Sequence, residues 1–100
     1  MRIETPEQAQ LAKTMQREIE NRADISKQEM ARELATALSL GRELLSSLEG
    51  NPDAVAHLSG RLRSTTLNID RAAMEFKCHR ETLSGLRVAL VTYEGSKRRN

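Results

Sequence analysis

The stretch from Pro52 to Tyr93 reads PDAVAHLSGRLRSTTLNIDRAAMEFKCHRETLSGLRVALVTY. Within it Val55, Leu58, Leu62, Thr65, Ile69, Ala72, Phe76, His79, Leu83, Leu86 and Leu90 recur in alternating steps of three and four, and Tyr93 continues the series. Such a repeat places every member on one side of an α-helix and is the pattern of a coiled-coil-like seam. No proline interrupts it. The spacing predicts one helix from 52 to about 93, ~60 Å long at the helical rise. Gly60 and Gly85 fall off the seam and are local weak points.

Immediately upstream lies Gly50-Asn51-Pro52-Asp53. Gly50 suits a left-handed cap on a preceding helix. Asn51 suits the N-cap of the following one, with Pro52 at its first position and Asp53 near the positive end of its dipole. Before this turn, Met30, Leu34, Ala37, Gly41, Leu44 and Leu48 follow steps of four and three and read as a second seam. Leu38, Leu40 and Leu45 widen the apolar surface beyond it. Ala37 and Gly41 are small enough to admit a close neighbour helix, although a glycine there also costs ~1 kcal/mol against alanine.

Two helix starts precede that seam. Thr5-Pro6-Glu7-Gln8 has capping-box spacing with proline at the first helical position, and Leu11, Met15 and Ile19 share one face behind it. Ser26 and Glu29 repeat the capping-box spacing, with Ile25 and Met30 at the positions of a hydrophobic staple. A break or kink is therefore expected at 22–26, against the competing reading of a continuous helix that ignores the second cap. The expected fold is all-α: a long antiparallel helical hairpin in one domain, 1–100, with coiled-coil-like packing. Its first arm is broken near residue 24, giving three helices at about 5–22, 26–49 and 52–93, with a basic tail at 94–100. The tight central turn forces the antiparallel return.

Composition agrees with helices. Leu, Ala and Met carry the apolar content, Glu, Arg, Gln and Lys much of the rest, and Val and Ile are scarce. Phe76 and Tyr93 are the sole Phe or Tyr, and there is no Trp. The net charge is +2, with acids and bases interspersed as on a solvated helix surface. Lys97, Arg98 and Arg99 form the single basic cluster, read either as a solubilising tail or as a contact for nucleic acid or acidic lipid. Nucleic-acid binding otherwise lacks its signature, since basic residues are dispersed and no aromatic platform exists. Cys78 is the lone cysteine, which fits a reducing compartment. The first 25 residues contain no apolar run of a signal peptide, and no segment approaches the length of a membrane span. A cytoplasmic location is expected, or export without a cleaved signal peptide.

Chemistry-bearing clusters are missing from the pattern. His57 and His79 stand 22 positions apart in one helix, ~33 Å at the helical rise, too far to share a metal. Cys78 and His79 are adjacent, and helical neighbours point in different directions. His79 reads as a partly buried seam residue or a pH-sensitive layer, and Cys78 as an inert thiol beside the seam. No phosphate loop or nucleophile motif is present, so no enzyme activity, cofactor or metal is expected.

The positive expectation is a protein partner. Two helices bury one stripe each, which leaves Leu38, Leu40, Leu45, Leu67, Met74, Val88 and Val91 beside the seams. Burying each fully is worth ~1.5–3 kcal/mol. Either a broken first helix folds over them, or another chain covers them, by self-association or as a hetero-partner helix. The residues predicted to carry partner binding are Leu34, Leu38, Leu45, Leu48, Leu62, Ile69, Phe76, Leu83, Leu86 and Leu90.

The segment from Leu44 to Leu90 resembles helical-hairpin proteins of type III secretion systems, the needle and inner-rod subunits and their small chaperones. The features that carry the resemblance are the Asn51-Pro52-Asp53 turn, Leu58 and Leu62, and the amphipathic helix ending in Leu83, Leu86 and Leu90. The resemblance implies a non-enzymatic hairpin that works by packing against another chain. The long, charged N-terminal arm and the continuation through Tyr93 into the basic tail favour a chaperone or regulator over a polymer subunit. A second resemblance is to the secreted helical hairpins of type VII systems, whose Trp-x-Gly turn would fall at Leu48-Glu49-Gly50, without the Trp. A small helical nucleic-acid-binding regulator is the remaining alternative.

Overall fold

The structure, a computed structural model, describes residues 2–99, the side chains of Arg98 and Arg99 excepted. It is all-α. Two helices, α1 (Pro6–Ser47) and α2 (Pro52–Arg99), are joined by one short turn, and there is no strand among the described residues.

Each helix begins where its sequence provides a cap. The Gln8 N–H donates to Thr5 Oγ1 at 3.2 Å, and the Thr5 N–H donates back to Gln8 Oε1 at 3.2 Å. This reciprocal pair is a complete capping box, and it satisfies amides that the first turn leaves without carbonyl partners. At α2 the Asp53 N–H donates to Asn51 Oδ1 at 2.9 Å, and the Val55 N–H to the Asn51 carbonyl at 3.1 Å. Several hydroxyls inside the helices are satisfied locally. Thr14, Thr36, Ser46, Ser47, Thr65, Thr66 and Thr82 each donate to the carbonyl four residues back.

The chain divides into two compact units, one made of Met1–Ile25 with Glu75–Asn100, the other of Ser26–Met74. The first pairs the early part of α1 with the late part of α2. Its core is Ile3, Ala9, Ala12, Leu86, Ala89 and Leu90, with Met15, Ile19 and Tyr93 packed against it. Large side chains from α2 meet small ones from α1, the large-to-small complementarity that lets layers interdigitate. Arg87 and Glu20 form an ion pair at 3.7 Å, about half exposed on both sides and worth at most ~1 kcal/mol. The second unit is a hairpin closed by the turn. Ser26, Leu40, Leu58, Thr65 and Ala72 are buried in it, and Met30, Ala37, Leu44, Leu62 and Ile69 are half-buried.

The α2 seam follows the repeat seen in the sequence. Leu58, Thr65, Ala72, Leu83, Leu86 and Leu90 are buried, and Val55, Leu62, Ile69, Phe76, His79 and Tyr93 are half-buried. Burial on α1 follows a different phase from the one expected. Its inner members are Ala9, Ala12, Gln16, Ile19, Ala23, Ser26, Met30, Glu33, Ala37, Leu40, Leu44 and Ser47, an unbroken alternation of three and four.

Four expectations are corrected. First, the arm is not broken near residue 24, and the helices number two rather than three. Ser26 is 3% exposed in mid-helix and Ile25 is 54% exposed, so neither the cap nor the staple forms. No glycine or proline lies between 7 and 40, so nothing forces the helix to stop, and the inner face stays in phase across the supposed break. Second, Leu34 and Leu48 are exposed rather than on the inner seam, and Gly41 is half-buried at its edge, next to buried Leu40. Glu33, Leu40 and Ser47 hold those places. Both phases share Met30, Ala37 and Leu44. Third, no glycine has positive φ, so Gly50 is not a left-handed cap. Its N–H instead donates to the Ser47 carbonyl at 3.0 Å, tightening the helix end into a three-residue turn. Fourth, α2 continues to Arg99, so 94–99 is helical rather than a tail, and α1 ends at Ser47 rather than 49.

Candidate docking face

On α1 every inner residue from Met30 onward is followed by an apolar or glycine residue. Met30 precedes Ala31, Glu33 precedes Leu34, Ala37 precedes Leu38, Leu40 precedes Gly41, Leu44 precedes Leu45, and Ser47 precedes Leu48. One residue of an α-helix is a turn of about 100°. Ala31, Leu34, Leu38, Gly41, Leu45 and Leu48 therefore form a second stripe, roughly a right angle round the helix from the first. Its four leucines are 46–71% exposed. Leu34, Ala37, Leu38, Gly41, Arg42 and Leu45 line one shallow, mostly apolar groove along it.

The stripe is confined to this segment. The residues that follow the inner positions earlier in α1 are Gln10, Lys13, Arg17, Glu20, Asp24 and Lys27, all polar or charged. The residues that precede the inner positions beside the stripe are Glu29, Arg32, Thr36, Ser39, Glu43 and Ser46. α2 carries no second stripe. Exposed Leu67, Met74, Val88 and Val91 share one line, but Asp70, Lys77, Glu81 and Ser84 hold its other positions and break the row. Isolated apolar residues of this kind are ordinary on a protein surface, whereas a contiguous row of leucines is not.

The residues predicted to bind a partner thus separate into two sets. Leu34, Leu38, Leu45 and Leu48 lie together on the exposed stripe. Leu62, Ile69 and Phe76 are half-buried, and Leu83, Leu86 and Leu90 are buried, all on the inner face of α2. The same periodicity describes an internal and an external seam, and nothing in α2 alone distinguishes them. Of the residues expected beside the seams, Leu38, Leu45, Leu67, Met74, Val88 and Val91 are exposed, while Leu40 is 3% exposed and belongs to the inner seam. Ala31 was not legible as part of a face, because the stripe emerges once the inner phase is known.

Gly41 sits mid-stripe, and a Cβ built there meets no atom within 4 Å. Its lack of a side chain answers to nothing inside the chain. In the other unit, Ile3, Val88 and Tyr93 share an open groove with Arg2, Glu4 and Lys97, and Arg2 Nε lies 3.2 Å from Glu4 Oε1. Cys78 is an exposed free thiol, His57 is exposed, and His79 is half-buried in the α2 seam. Among the described residues no three His, Cys, Asp or Glu side chains converge as metal ligands. No helix of those residues is long and apolar enough to cross a membrane. Of the basic cluster, Lys97 is exposed, and the side chains of Arg98 and Arg99 lie outside the described residues. No protein-family model, curated protein or solved structure matches this chain.

Proposed function

We propose that this protein is a non-enzymatic protein–protein interaction module whose working surface is the leucine stripe of α1 between Ala31 and Leu48. The observation that carries the reading is a surplus of surface. The chain exposes 7656 Å², whereas a folded monomer of 11.2 kDa exposes roughly 5,700 Å². The difference is about 2,000 Å², and the most apolar continuous part of the exposed surface is the stripe. Covering its four leucines contributes several kcal/mol, at ~1.5–3 kcal/mol for each side chain fully buried. A partner helix is the natural occupant, since one apolar row in a shallow groove suits a second row of the same kind.

The biological setting we propose is a chaperone or regulatory component of a bacterial secretion system. The capped Asn51-Pro52-Asp53 turn and the long inner seam of α2 support it, as the features shared with the secretion-system hairpins. Co-expression of differently tagged copies, alone and with the products of neighbouring genes, tests the reading. The wild-type chain is expected to co-purify with a second chain, another copy of itself or a neighbour's product. A variant carrying Leu34→Ser, Leu38→Ser, Leu45→Ser and Leu48→Ser is expected to lose that partner while keeping its helical circular dichroism. Retention of the partner by the quadruple variant would place the interaction elsewhere.

A further inference from the structure

We infer that the partner on this stripe is a second copy of the chain, docked antiparallel along Ala31–Leu48; the inference rests on the stripe being an interaction surface. The order of residues along it is self-complementary. When two copies of the segment run in opposite directions, one register places Leu38 opposite Gly41, Leu34 opposite Leu45 and Ala31 opposite Leu48, each twice by symmetry. The two central layers then seat a leucine over a glycine whose Cβ position is open. The next layers pair leucine with leucine, and the outermost pair leucine with alanine. Large against small across facing positions is how helices interdigitate without voids. A two-fold contact needs this property, because each half must complement itself.

Coverage selects the same register. In it the exposed Arg42 of one copy lies level with the small Ala37 of the other. A slip of one heptad toward the turn sets Leu38 against Leu48 and Gly41 against Leu45, and it uncovers Ala31 and Leu34. A slip the other way uncovers Leu45 and Leu48. A parallel pair sets Gly41 against Gly41 and leaves a void between leucine layers. Only the first register covers all six positions.

The size of the face bounds the strength. Eighteen residues span about 27 Å, and the contact is one helix wide. That belongs at the low end of specific interfaces, roughly 1,200 Å² in total. The dimer is therefore concentration-dependent, and Gly41, which costs helix propensity, leaves open the hole that receives Leu38.

Sedimentation velocity over a wide range of concentration, with the full chain, reads the association. The wild type is expected to pass from monomer to dimer. Gly41→Leu is expected to weaken dimerisation by about tenfold or more by overpacking, with helical content unchanged or raised. Unspecific apolar adhesion gives the opposite sign, so tighter association of Gly41→Leu overturns the proposal. Orientation is read by oxidation in a Cys78→Ser background. Leu34→Cys mixed with Leu45→Cys is expected to cross-link, and neither alone, since identical positions lie about 16 Å apart in the antiparallel pair. Cross-linking of each variant with itself overturns the antiparallel arrangement. A wild type that stays monomeric at every concentration overturns self-association. Co-purification of a different chain through the same leucines would then leave the interaction reading standing.

Discussion

Leu83 is the largest fully buried side chain among the described residues, at 1% exposure. It has little room to be replaced, so Leu83→Ala is expected to cost about 3 kcal/mol, a transfer term plus a cavity. Denaturant unfolding checks this, and a loss below about 1 kcal/mol would mean that the site collapses or is not packed. Thr65 shows how a polar group sits in a seam: it is 6% exposed, and its hydroxyl donates to the Arg61 carbonyl at 2.9 Å. Gly50 tests backbone rather than packing. It has no positive φ, and an added Cβ meets only the Ser47 carbonyl at 3.6 Å, an ordinary contact. Gly50→Ala is therefore expected to be neutral or to stabilise by up to ~1 kcal/mol through the unfolded state. A left-handed glycine cap would instead make the substitution clearly destabilising, and the melting temperature separates the two.

At the scale of the element, the question is why α1 ignores its second start signal. A capping box helps only where amides lack carbonyl partners. Around Ser26 the amides keep their partners in the preceding turn, so the cap has nothing to supply. Lys27 provides the test, because it is exposed and its side chain is not packed. With Ser26 as an N-cap, Lys27 would occupy the first helical position, where proline is welcome. In a continuous helix the same proline removes a backbone bond and clashes with the preceding turn, at about 3 kcal/mol or more. Lys27→Pro is expected to destabilise by that amount and to lower helicity, whereas a small effect on both would restore the break. Thr5, at the cap that is used, is expected to cost about 1 kcal/mol on replacement by alanine, read by the same unfolding experiment.

For the whole molecule, the surplus area has a thermodynamic counterpart. The heat-capacity change on unfolding scales with the surface newly exposed, and ordinary chains of 100 residues give about 1.2–1.5 kcal/mol/K. This chain hides less surface when folded, so calorimetry on dilute protein is expected to give roughly a fifth less, about 1.0–1.2 kcal/mol/K. A value at or above the ordinary range would mean that the chain hides as much surface as a globule of its size. Much of the architecture was legible without coordinates. Thr5–Gln8 and Asn51–Asp53 are local devices whose hydrogen bonds close within four residues, and the α2 repeat runs through twelve positions without a competing phase. The leucines of the stripe were legible as apolar, but not as external. From Met30 to Leu48 two phases fit the same three-and-four spacing, and hydrophobicity prefers the one that buries Leu34 and Leu48. The folded chain takes the other, in which Ser26 and Leu40 are buried and Glu33, Ala37 and Ser47 half-buried, because a helix turns only one face to the helix it packs against. Sequence alone therefore determined that two amphipathic helices meet at a capped turn, since caps and periodicity act over a few residues. Which stripe faces inward, and which stays exposed, was decided by tertiary packing, since burial is set by the helix that covers a face, and both faces of this segment carry leucines.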